Sequence, residues 1–364
     1  MKKNLLIFLS LLLGVILTIA IGVFLYIQFA PQKEPLTEEP VLLFTIGMHV
    51  EPFGVEISDL VPEEYQKESD SESSIGISYQ NAEVFQKGLE DIERVLEILE
   101  SHDGRMTIQV QSPFTTTALG KRATQHLLGD WESRGHEIGL HFHEYSHLGV
   151  YANRLSSAIW CAVMKEEIDV IEALGVDHVR YWSGGNLYPD LLAVATCAGL
   201  EVNSDWKNPL LQETNLTMFG LSPWRPSGGS EGNDTSVFEV HDPEGDIIYL
   251  PEGDYDRKDA AASRRSEVAG GDEAYFDFLK DSLENSLANL EEDRVNVFHF
   301  TVHAGEFKDD ETGDFDVIEQ FLTEVIDPYV AEGKIEWATY SEMADAFEEW
   351  EETHPGVDPR SSVE

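Results

Sequence analysis

Four of the chain's twelve histidines fall in one short stretch, residues 135–148, which reads Gly-His-Glu-Ile-Gly-Leu-His-Phe-His-Glu-Tyr-Ser-His-Leu. If this is a strand running into a loop, side chains alternate between its faces. Glu137, Gly139, His141 and His143 then share one side, and Ile138, Leu140 and Phe142 the other. Two imidazoles point the same way, and His147 follows on the loop four residues later. Neutral imidazole is the commonest transition-metal ligand, and imidazoles converging at this spacing are the usual beginning of a metal site. The plainer alternative makes His141 and His143 hydrogen-bonded interior side chains and His147 a surface loop residue.

Histidine also closes two other apolar runs. Residues 41–51 (Val-Leu-Leu-Phe-Thr-Ile-Gly-Met-His-Val-Glu) are bounded by prolines and suit a strand buried on both faces, with His49 and Glu51 on one face at its end. In the strand expected over 295–303, His299, Thr301 and His303 alternate onto one face, opposite Phe298, Phe300 and Val302. Between these runs, Phe85, Leu89, Ile92, Leu96 and Leu99 recur at helical steps, which predicts a helix ending near residues 102–104. Strands are expected over 105–111, 178–182, 201–206, 237–240, 247–250 and 335–340. Helices are expected over 123–134, 155–174, 188–198, from 272 to about 290, and over 317–331, with a last helix capped by Ser341 and running to about 350. Residues 54–79 read as an acidic, Ser-rich loop. Residues 211–235 read as a Gly/Ser/Pro-rich loop with glycosylation acceptor patterns at Asn215 and Asn233. Strand alternating with helix implies parallel strands with helices outside, hence one α/β domain of barrel type. In such a barrel functional groups gather at the carboxyl ends of the strands, where His49, Glu51, His141, His143, His147, the segment from Trp182 to Asn186, and His303 all fall.

Lys and Arg total 24 against 69 Asp and Glu, a formal charge of -45, and no basic cluster appears, which argues against a nucleic-acid partner. Such a surface stays hydrated at high ionic strength, as a halophilic setting requires, and equally suits an acidic extracellular protein. Residues 4–30 carry no charge and, at ~1.5 Å per residue, are long enough to cross a hydrocarbon core of ~30 Å. They exceed the apolar region of a signal peptide and read as a retained transmembrane anchor. Residues 1–3, with Lys2 and Lys3, form a cytoplasmic stub, 31–40 a stalk, 41–352 the barrel domain outside the cell, and 353–364 an acidic tail. Cys161 and Cys197 lie in apolar helical contexts; they can pair outside the cytoplasm, though nothing in their spacing demands it.

The stretch from Gly135 resembles the Gly-His-Glu-Ile-Gly-x-His-(Ser/Thr)-x-x-His motif of the polysaccharide deacetylase superfamily (NodB homology, carbohydrate esterase family 4-like), whose two histidines hold a divalent metal. One alignment inserts two residues and gives the ligand positions to His143 and His147. The ungapped one gives the first to His141 and leaves Tyr145 at the second, like relatives with a Gly-Leu-His-x-His variant. Other stretches are similar in the same order. Residues 104–110 resemble the preceding strand, Tyr181-Trp-Ser-Gly-Gly-Asn186 the Phe-Arg-(Ala/Ser)-Gly-Gly segment, and residues 247–251 the strand of the next motif. Residues 298–303 resemble the last motif, whose histidine assists as acid. Together the resemblance spans about 41–350. It departs from the family at the first motif, where Thr45-Ile-Gly-Met-His49-Val-Glu51 replaces an aspartate pair. It departs again at Trp182, which stands where arginine is usual.

The resemblance implies an irregular (β/α) barrel, seven-stranded and deacetylase-like, that hydrolyses an amide, most simply an N-acetyl group on an extracellular or cell-surface glycan. A divalent metal, zinc by preference, would be held by His49, His143 and His147, with His141 as the competing ligand. Glu51 would act as base and His303 as acid, with Trp182 and Asn186 contacting the sugar. Two other readings stay open: a catalytically silent glycan- or metal-binding ectodomain on the same fold, and an amide hydrolase acting on a small molecule. Nothing in the sequence indicates an oligomeric state.

Overall fold

Continuous apolar runs become parallel strands buried on both faces. The computed structural model describes residues 39–68, 78–185, 190–204, 220–228, 237–255, 271–303 and 314–361. Its strands are β1 (Leu42–His49), β2 (Met106–Val110), β3 (Glu137–Phe142), β4 (Tyr181–Gly184), β5 (Val202–Asn203), β6 (Ile248–Tyr249), β7 (Asn296–His303) and β8 (Ile335–Trp337). They pair in the order β6-β5-β4-β3-β2-β1-β7, and β8 joins β1 beside Leu42 to Phe44, on the edge that β2 occupies from Ile46 to His49. Beyond the named strands the backbone continues the ring. Val297 and His299 of β7 donate to the carbonyls of Leu221 and Glu252, and Gly220 bridges Gly253. Connections between parallel strands must be long, and helices supply them on the outside.

The two faces of β1 show how the layers are built. Leu42, Phe44, Ile46 and Met48 point outward into the main core, where they meet helices such as α1 (Ala82–Ser101), whose Phe85, Ile92, Val95, Leu96 and Leu99 are buried. Asn81 caps α1 by accepting from the Glu83 amide. Further along the chain come α2 (Phe114–Leu119), α3 (Leu127–Ser133), α4 (Glu144–Leu148), α5 (Ser157–Ala173), α6 (Leu191–Ala198), α7 (Asp272–Ala288), α8 (Asp314–Phe321), α9 (Asp327–Ala331) and α10 (Tyr340–Thr353). The inner face is apolar only near the strand starts. There Leu43, Tyr181, Val202, Ile248 and Val297 pack on Tyr340, Met343, Ala344, Phe347 and Trp350 of α10. Towards the strand ends the same face turns polar, passing Gln109 and Thr301 to reach His49, His141 and His303. Gly139 keeps this interior narrow, since a Cβ there would meet the Tyr181 ring at 2.7 Å.

Several expectations are corrected. The helix expected over 123–134 is confined to α3, and α2 was not foreseen, because its Phe-Thr-Thr-Thr-Ala-Leu sequence lacks a helical apolar stripe. Residues 237–240 form turns, with Val240 54% exposed, instead of a strand. Thr339, not Ser341, caps the last helix, in a capping box with Glu342, while the Ser341 hydroxyl goes to the Glu137 carboxylate. His147 lies on the one-turn helix α4, not a loop. Cys161 and Cys197 are joined in a disulfide that ties α5 to α6, with Cα atoms 5.9 Å apart. Among the described residues no helix is long and apolar enough to cross a membrane. Residues 4–30, Asn186, Asn215 and Asn233 lie outside the described residues.

Candidate metal centre

Strand register assembles the centre. β1 and β7 are aligned so that His49 stands beside His303. Just beyond β1 the Val50 amide still donates to the Gln109 carbonyl of β2, so Glu51 emerges at a fixed place. His141 lies near the end of β3 in register with Ser183 of β4, and His143 follows in extended conformation as the residue that starts α4. Their side chains converge on one carboxylate. Glu51 Oε2 is 3.7 Å from His141 Nε2 and 3.6 Å from His143 Nε2, and Oε1 is 3.5 Å from His303 Nε2. The His49 ring stacks on His141 with centroids 4.1 Å apart and meets His303 edge-on at 5.1 Å.

These separations fit ligands better than hydrogen bonds. Nitrogen and oxygen that share a proton lie at ~2.7 to 3.2 Å. Two donors each ~2.1 Å from a tetrahedral ion lie ~3.4 Å apart. Imidazole nitrogens with one carboxylate are also the donor set that zinc and similar divalent ions prefer. Among the described residues, two triads have donor atoms within 4.8 Å of one another: His49, Glu51 and His303, and Glu51, His141 and His143. Burial pushes the Glu51 carboxyl up, but the pull of His141, joined by the charges of His143 and His303, outweighs it and holds the group well below the usual carboxylate range. Tyr79, buried nearby, is pushed up by burial and by the charges of Glu51 and Asp91.

Around this ring lies a layer of supporting bonds that sequence reasoning did not find. His141 Nδ1 is 2.7 Å from Ser183 Oγ, an interaction that orients the ring and turns Nε2 to Glu51. Gln111 Oε1 accepts from the His143 amide at 3.0 Å and from His147 Nε2 at 2.9 Å. His147 Nδ1 faces Glu167 Oε1 at 3.3 Å, and Glu167 Oε2 also accepts from the Ser112 amide. Burial raises the Glu167 carboxyl, but the charge and hydrogen bonding of His147 with the Ser112 donors bring it below its ordinary value. The polar end of β2 was the one sequence signal for Gln111. Ser183 becomes visible only once the β3–β4 register is known.

Two site expectations change on this geometry. His147 is wholly buried, stacked on Phe142, with Nε2 bonded to Gln111 and Nδ1 facing Glu167 at 3.3 Å, and it belongs to neither donor triad. The structure therefore sets it behind the centre and brings His141 forward with His143. Trp182 is also wholly buried, because it pairs with Leu140 and shares the outward, core-facing side of the sheet, so it offers no face to a sugar ring. His143, by contrast, has a side chain 38% exposed and stands at the opening.

No family model matches the sequence, and no curated protein matches it. Solved structures do share its architecture. A PuuE allantoinase is 14% identical over 89% of this chain and 94% of its own, with a TM-score of 0.54. A structure assigned as a polysaccharide deacetylase from Mycobacterium smegmatis is 13% identical over 89% and 94%, with a TM-score of 0.50. One assigned as a glycoside hydrolase/deacetylase from Parabacteroides distasonis is 14% identical over 88% and 73%, also at 0.50. The chain has the parallel α/β fold of the polysaccharide deacetylases.

Proposed function

We propose that the protein is a divalent-metal-dependent hydrolase that removes amide-linked acyl groups, N-acetyl in the simplest case, from a glycan. The observation that carries this is the convergence of three imidazole nitrogens on Glu51 at 3.5 to 3.7 Å, at the carboxyl ends of the strands in a deacetylase-type fold. His141, His143 and Glu51 Oε2 would hold the ion, with His49 packed against His141. A bound divalent ion would supply Lewis-acid polarisation of the acyl carbonyl and a more acidic water. The chain's own groups then do the rest. Ser183 fixes the His141 ring, and Gln111 fixes the His143 backbone. Glu51, with Oε2 3.7 and 3.6 Å from the Nε2 atoms of His141 and His143, would serve as the anionic ligand. His303, facing the other Glu51 oxygen at 3.5 Å, would take a proton from the attacking water and return it to the leaving amine.

The allantoinase that shares the fold favours a second reading, in which the amide belongs to a small molecule. On sequence alone, residues 4–30 would anchor the domain outside the cell. The test is acetate release by the purified full chain from N-acetylated glycan polymers and oligomers, before and after chelation, with metal content measured in parallel. Release that is lost on chelation and restored by zinc is expected. Stoichiometric metal without turnover of any glycan or small amide would leave a silent binding protein, and no bound metal would overturn the proposal.

A further inference from the structure

The donors around Glu51 do not form a single set. Glu51 is the one carboxylate shared by both triads, and it divides its oxygens: Oε2 faces His141 and His143, whereas Oε1 faces His303. A catalytic zinc takes three protein ligands and keeps an open position. His141, His143 and Oε2 fill that need alone. What remains, His49, His303 and Oε1, is a second set of two imidazoles and one carboxylate oxygen, with His303 Nε2 at 3.5 Å, beside 3.6 and 3.7 Å in the first. Carboxylates that serve two ions belong to sites where the ions sit ~3.5 to 4 Å apart. The His49 and His303 rings stand perpendicular to each other with centroids 5.1 Å apart, and His143 faces the other Glu51 oxygen, Oε2, at 3.6 Å.

Resting on the reading above, we infer that His49, His303 and Glu51 Oε1 form a second divalent-cation site, and that its occupancy silences the enzyme by removing His303 from proton transfer. The second ion binds more weakly than the first, because the two share the single negative charge of Glu51 and repel each other across it. Activity should therefore rise with the first equivalent of metal and fall with the second.

The test uses metal-free full-length protein titrated with zinc, followed by calorimetry and by metal analysis after gel filtration, and in parallel with manganese followed by electron paramagnetic resonance. Two equivalents are expected, the second at least ~10-fold weaker, with exchange coupling between paired manganese ions. His49→Ala and, independently, His303→Gln should each abolish the second equivalent and the coupling, while the first equivalent reports that the variant is folded. His143→Ala should weaken the first. One saturating equivalent, or two without coupling, or a second equivalent that survives both His49→Ala and His303→Gln, overturns the second site and leaves the proposed function standing. Failure to bind any metal overturns both.

Discussion

Histidines in the same barrel meet two different fates, and the contrast between the rim and the interior shows what decides them. At the rim His141, His143 and His303 face a shared carboxylate at 3.5 to 3.7 Å. In the interior, His147 gives Nε2–H to Gln111 and turns Nδ1 to Glu167. His299 donates Nε2–H to the Leu250 carbonyl at 3.4 Å and accepts at Nδ1 from Tyr340 at 3.2 Å. Both interior rings turn both nitrogens to groups of the protein. His141 instead has a neutral serine on one nitrogen and the shared carboxylate beyond the other, an arrangement that turns a histidine towards an ion. His143 and His147 are four positions apart, so neither residue type nor local spacing makes the distinction; the second partner does.

Breaking the interior pair should have the largest effect on the fold. His147→Ala leaves the Glu167 charge buried and takes away one of the two donors to Gln111 Oε1, and is expected to cost ~3 to 5 kcal/mol of stability, read from the urea midpoint. Metal bound per folded molecule should not change. Loss of metal with stability intact would return His147 to the ligands and dissolve the contrast. His141→Ala should show the inverse pattern. Changes to supporting residues commonly cost 10- to 100-fold in metal affinity, so removal of a ligand is expected to cost more than ~100-fold, with a smaller loss in the metal-free urea midpoint than His147→Ala. Ser183→Ala sharpens the comparison from behind. It should weaken the metal by ~10- to 100-fold in competition with a chelator, because the His141 ring loses its orienting partner.

Much of this frame is legible in the residues. The apolar runs of β1 and β7 and the alternation in β3 carry His49, Glu51, His141, His143 and His303 to strand ends, because a two-residue period fixes which side chains share a face. What stays hidden depends on partners far along the chain. The role of His147 is set by Gln111, 36 positions earlier, and by Glu167 on α5. Trp182 turns on register. β4 starts at Tyr181, and its pairing sends Trp182 outward with Leu140 and Ser183 inward with His141; a slip of one residue would exchange them. The end of the sheet beyond β6 was illegible for another reason: backbone bonds from β7 to Leu221 and Glu252 need no side-chain pattern at all.

The smallest effect separates two buried carboxylates. Burial raises both Glu167 and Glu137. At Glu167 the charge of His147 reverses the shift, whereas at Glu137 the hydrogen bonds from Ser341 and Thr107 do not, and the group stays raised. The signs follow from proton binding. A lowered Glu167 binds fewer protons folded than unfolded, so its contribution is whole above the ordinary glutamate value near ~4.3 and is lost as pH falls through its folded value. A raised Glu137 binds more protons folded than unfolded, so its contribution is whole below that ordinary value and is lost as pH rises through its folded value. Urea midpoints of the metal-free protein measured across pH, taken as differences from Glu167→Gln and Glu137→Gln, isolate each group from the many other acids. Glu167→Gln should flatten the acid side of the difference profile and Glu137→Gln the side above ~4.3. If Glu167→Gln leaves the acid slope unchanged, the His147–Glu167 pair is not the charged support that sets the interior histidine apart from the rim.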